Sequence, residues 1–84
     1  MYQYEEIKPR LFTEEAQQDF LKVRDRAHKL LKESGAFKSL HACRDISGDT
    51  WMMMAYVDRL VELKEIREIT PPNVAGQNRV FVEW

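Results

Sequence analysis

A chain of 84 residues builds one small domain and excludes two independent cores. With 44% hydrophobic and 32% charged residues it reads as a folded chain, neither a disordered tail nor a membrane protein. Thirteen Lys and Arg against fourteen Asp and Glu give a net charge of −1, which removes the simplest argument for nucleic acid, a chain basic throughout.

Residues 1–12 mix Tyr2, Tyr4, Ile7, Leu11 and Phe12 with charges. Alternation around Tyr2 and Tyr4 predicts a short extended stretch, and Pro9 argues against a helix. The segment reads as an arm, either folded onto its own domain or swapped to a second copy. Residues 13–35 read as one long helix. Thr13 is its N-cap, Glu14 and Glu15 occupy the first turn, and Gly35 terminates it. Ala16, Phe20, Val23, Ala27, Leu30 and Leu31 recur every three or four residues as one apolar stripe. At ~1.5 Å per residue the helix is about 31 Å long.

Ala36-Phe37-Lys38 suits a small strand. Ser39 is the expected N-cap of a short helix over 40–45, with Leu40 and Cys43 inward. Ser47-Gly48-Asp49 is a turn, and Asp49 or Ser47 caps a third helix over about 50–64. Met53, Val57, Leu60 and Leu63 form its expected inward set; Thr50, Trp51, Met54, Ala55, Asp58 and Glu62 face outward, with Met52 at the margin. From residue 66 the period changes to two. Ile66 to Thr70 and Arg79 to Trp84 read as two strands joined by a long polar tip.

Segment 46–66 resembles the turn, recognition helix and helix exit of MarR-type regulators. The resemblance rests on Val57-Asp58-Arg59-Leu60, on Glu65-Ile66, and on Arg79 in the returning strand of the wing. Lys64 stands where that family commonly has a glycine. Over residues 36–84 the resemblance implies an α+β winged helix-turn-helix: a single domain with an arm (1–12), a long helix (13–35), a helix-turn-helix (36–65) and a wing hairpin (66–84).

Two functions follow. A small bacterial or phage-type regulatory module would contact DNA through Thr50, Trp51, Met54, Ala55 and Arg59, with Arg44 and Arg79 on phosphates. A non-catalytic adaptor would instead bind protein through Trp51, Met52 and Met54. Trp51-Met52-Met53-Met54 supports the second, because four consecutive helical residues span about 300° and cannot all face one core. Residues 36–70 carry five basic and six acidic side chains, so no basic half offsets the neutral total. Arg44, Arg59, Arg67 and Arg79 read either as a modest phosphate-contacting face or as charges paired with Asp45, Asp58, Glu65 and Glu68.

His41, Cys43 and Asp45 make neither a zinc site nor a nucleophilic pair, because residues two apart on a helix diverge by about 200°. The expectation is no enzyme, no cofactor and no metal. A lone cysteine and the lack of a run approaching ~18 apolar residues predict a cytoplasmic protein without membrane contact. So small a core makes a homodimer a reasonable expectation.

Overall fold

A computed structural model describes residues 1–46, 48–74 and 76–84. The longest helix, α2 (Glu14–Ser34), begins where Thr13 accepts a hydrogen bond from the Ala16 amide and ends at Gly35. Gly35 adopts φ +77° and donates its N–H to the Leu31 carbonyl, a left-handed stop that a side chain would resist. The stripe of α2 buries Ala16, Phe20, Val23 and Ala27, while Leu30 and Leu31 close its end half-buried.

The arm is not extended. Tyr4–Ile7 forms a short helix, α1, and Lys8–Phe12 continues as a 3-10 helix. Pro9 fits there because it sits in the first turn, where a missing N–H leaves no bond unmade. This winding turns Ile7 and Leu11 into the domain's own core.

After Gly35 come β1 (Ala36–Lys38), α3 (Ser39–Ala42), α4 (Thr50–Glu62), β2 (Ile66–Glu68) and β3 (Val80–Glu83). The strands form an antiparallel sheet in the order β1-β3-β2, with β3 central. Phe37 stacks on Phe81 across the β1–β3 pair at 5.5 Å, and with Ile66 they carry the sheet's inner face into the core. Among the described residues the domain is therefore α+β, with four α-helices and a three-stranded antiparallel sheet, an arrangement compatible with a winged helix.

Several local expectations are corrected. The second helix spans Ser39–Ala42 rather than 40–45. Ala42 and Cys43 are buried, whereas Leu40 is 41% exposed. Ser39 is not the cap. It is the first helical residue, and its hydroxyl donates to the Gly76 carbonyl, tying α3 to the β2–β3 connection. At the other end of the domain, Lys64 adopts φ +61°, the left-handed conformation for which glycine is the easier residue.

Candidate functional site

Helix α4 starts where the Asp49 carboxylate accepts the Met52 amide at 2.8 Å; that bond, aided by Arg10, holds the Asp49 carboxyl below its usual range. Ser47, the other expected cap, lies outside the described residues. The helix buries Met52, Ala55, Tyr56, Val57 and Leu60. Met52 and Ala55 are thus core residues, and neither is placed for contact with DNA or protein. Leu63, expected inward, is 42% exposed, and Met53 is only half-buried.

The buried stripe is rotated by roughly 45° from the expected one, at 100° per residue. The cause is the arm. Ile7 and Leu11 join the same buried cluster as Met52 and Ala55, so one flank of α4 that faces solvent on periodicity alone is covered.

Polar contacts fix the arm in place. The Tyr2 hydroxyl donates to Asp58 Oδ2 at 2.6 Å, and the Tyr4 hydroxyl donates to Glu62 Oε1 at 2.8 Å. Lys8 Nζ reaches Glu62 Oε2 at 2.7 Å, and Arg59 reaches Glu62 Oε1 at 2.7 Å. The Tyr2 ring meets Trp51 edge-on at 6.4 Å, and the Arg59 guanidinium lies 5.3 Å from the centre of the Phe12 ring. Burial, then donation to a carboxylate, raises both tyrosine pKa values well above the phenol range. The bonds from Lys8, Tyr4 and Arg59 lower Glu62 to about 2.

Through the same Asp58 carboxylate, α4 is joined to the β2–β3 hairpin. Arg79 Nη2 binds Asp58 Oδ1 at 2.6 Å and Glu68 Oε1 at 2.9 Å, with only 14% of its side chain exposed. Burial disfavours the guanidinium charge, but the bonds to Glu68 and Asp58 outweigh it and raise the Arg79 pKa. Arg79 therefore closes an internal bridge and does not reach out as a phosphate contact.

Between arm and hairpin runs a groove of about 490 Å³ lined by Tyr2, Met54, Asp58, Glu68, Val74 and Arg79. Met54 also borders a small gap with Leu40, Met53 and Gln77. The exposed ends of Leu40 (41%), Trp51 (41%) and Val74 (37%) frame this side, and Thr50 lies beside them at the start of α4.

The four arginines do not assemble into one face. Arg59 and Arg79 are committed to carboxylates. Arg67 is exposed on β2, and Arg44 lies in a cleft of about 680 Å³ between α2 and α3 with Lys22, Arg26, Lys29 and His41. That cleft also holds Asp25, Glu33 and Asp45, so its charge is mixed. Of the expected carboxylate partners, Asp58 and Glu68 pair with Arg79. Glu65 instead binds Arg24 at 2.8 Å and His28 at 2.6 Å.

Cys43 is buried, its thiol donates to the Met53 carbonyl at 3.6 Å, and burial pushes its pKa up to about 12. His41 is exposed, and Asp45 lies beyond the end of α3 with φ +65°. No group of three potential metal ligands converges among the described residues, and no helix among them is long and apolar enough to cross a membrane.

Sequence reasoning missed Tyr2, Tyr4, Leu40 and Val74. The first two left no local signal, because their carboxylate partners Asp58 and Glu62 lie 56 and 58 positions away in sequence. No family model, curated protein or solved structure matches the chain.

Proposed function

We propose that the chain is a winged-helix module, MarR-like over residues 36–84, whose outward α4 side docks a protein partner. One observation carries this reading: both arginines of that side, Arg59 and Arg79, are held by internal carboxylates, which leaves exposed Trp51, Leu40 and Val74 around half-buried Met54. A partly exposed tryptophan beside a methionine supplies the large, adaptable anchors that protein interfaces use. A DNA-reading helix needs cations near phosphates, because counterion release dominates affinity. Asp58 and Glu62 on the same side would oppose that approach.

A DNA reading draws support from a different place. Lys22, Arg26, Lys29 and Arg44 share the α2–α3 cleft with Asp25, Glu33 and Asp45, so a duplex would lie there and not on the outward side of α4. Two measurements separate the readings. In a pull-down, Trp51→Ala and Met54→Ala should each lose the partner that the unaltered chain retains, with an unchanged near-UV circular dichroism spectrum. Titration with random duplex DNA at low salt should show no saturable binding. Duplex binding that falls steeply with salt and is weakened by Arg44→Ala would favour DNA instead.

A further inference from the structure

The sheet has a second face, which the core does not use. Phe37, Phe81 and Ile66 point inward, so the residues alternating with them point the other way. Register aligns Ala36, Val82 and Arg67 in one cross-strand row. In the next row Lys38 pairs with Val80, whose carbonyl accepts the Ile69 amide. Trp84 continues the alternation of β3, its N–H donated to the Glu65 carbonyl. The centre of this face is partly exposed Val80 and Val82, flanked by Ile69 at 46% and Trp84 at 59% exposure.

The charges around this centre are one-sided. Lys38 and Arg67 are exposed and form no ion pair among the described residues. The Lys64 ammonium lies 6.0 Å from the centre of the Trp84 ring. The nearby carboxylates are turned elsewhere: Glu65 to Arg24 and His28, and Glu68 to Arg79 on the inner alternation. Glu83 alternates inward as well, opposite Ile66.

We infer that this outer sheet face is a second docking surface, distinct from the α4 side, and that it takes an acidic protein segment carrying apolar side chains. Charge complementarity selects the occupant. A second copy packed face to face would set Lys38 and Arg67 against cations of the same patch, a like-charge arrangement. Single-stranded nucleic acid would match the charge, but it uses successive aromatic platforms, and this face offers one tryptophan beside aliphatic valines and isoleucine. Valine and isoleucine complement the leucines or phenylalanines of a peptide, while Lys38, Lys64 and Arg67 meet its carboxylates.

The test uses the full chain and a fluorescent peptide alternating Glu and Leu over about ten residues, a strand's length. A matched peptide carries Lys in place of Glu. The inference predicts saturable binding of the Glu peptide, at least about tenfold tighter than the Lys peptide and weakened by salt. Lys38→Glu with Arg67→Glu should weaken it by about tenfold or more, and the milder Lys38→Gln with Arg67→Gln should weaken it less. Trp84→Ala should weaken it, and Trp51→Ala should leave it unchanged, which separates this surface from the α4 side. Equal binding of the two peptides, no binding of either, or full binding to the charge-reversed chain would overturn the inference. So would tighter binding of labelled oligothymidine that the same reversal abolishes, which would assign the face to nucleic acid.

Discussion

The outward side of α4 and the outer face of the sheet both expose a tryptophan, yet they treat charge in opposite ways. Along α4 the charges are satisfied within the chain: Asp58 by Tyr2 and Arg79, and Glu62 by Tyr4, Lys8 and Arg59. On the sheet face, Lys38 and Arg67 find no carboxylate among the described residues. Ion pairs that cross elements tie arm, helix and hairpin together and leave an apolar surface behind. Cations without partners add little to the fold and remain available to a ligand.

The contrast can be tested most strongly around β2, where Ile66 in the strand and Ile69 just past its end lie on opposite faces. Ile66 is fully buried and Ile69 is 46% exposed. Ile66→Ala should cost about 3 kcal/mol in urea denaturation, through lost transfer energy and the cavity left behind. Ile69→Ala should cost under about 1 kcal/mol. Similar losses would mean that the outer face is as buried as the inner one.

The next largest effect concerns the arginines. Arg79→Ala leaves Asp58 and Glu68 without their shared cation and should cost about 2 kcal/mol, somewhat below the range for fully buried pairs. Arg67→Ala should stay within about 0.5 kcal/mol. If Arg67 proved the costlier of the two, the division between internally used and externally available charge would be reversed.

A smaller effect is expected at the arm. Tyr2→Phe removes only the hydroxyl donated to Asp58 and should cost about 1 kcal/mol. Its sharper readout is amide exchange, which should quicken over Tyr4–Ile7 more than over α2.

The smallest effect is in acid. The Glu62 carboxyl is lowered from 4.5 to about 2, so its contribution is fully present above pH 4.5 and is lost as pH falls toward 2. A third of its side chain is exposed, so solvent screens the effect. Between those pH values the melting temperature of the unaltered chain should fall slightly more than that of Glu62→Gln. Parallel curves would show that the arm's carboxylate contacts carry no net stability.

Much of the backbone was legible beforehand. Thr13, Asp49 and Gly35 mark helix ends through bonds to residues three or four away, and such bonds depend on neighbours that the sequence displays. The switch to a period of two placed β2 and β3 for the same reason. The candidate site was legible only in part. Trp51 and Met54 were found on the outward side of α4, but Met52 and Ala55 were misplaced because the arm, read as extended, coils and covers their flank. Arg79 was noted as a cation, and either use of it was consistent with the pattern. Its distance in sequence from Asp58 and Glu68 gave no local reason to choose.

The sequence by itself determined both ends of α2, the start of α4 and the change to strands after it, because capping and side-chain alternation act over a few residues. Tertiary structure decided which flank of α4 is buried, which carboxylate each arginine takes, and which face of the sheet stays uncovered. Those choices join residues such as Tyr2 and Asp58, 56 positions apart. A charged or apolar side chain has many acceptable partners, and only the packed chain selects one.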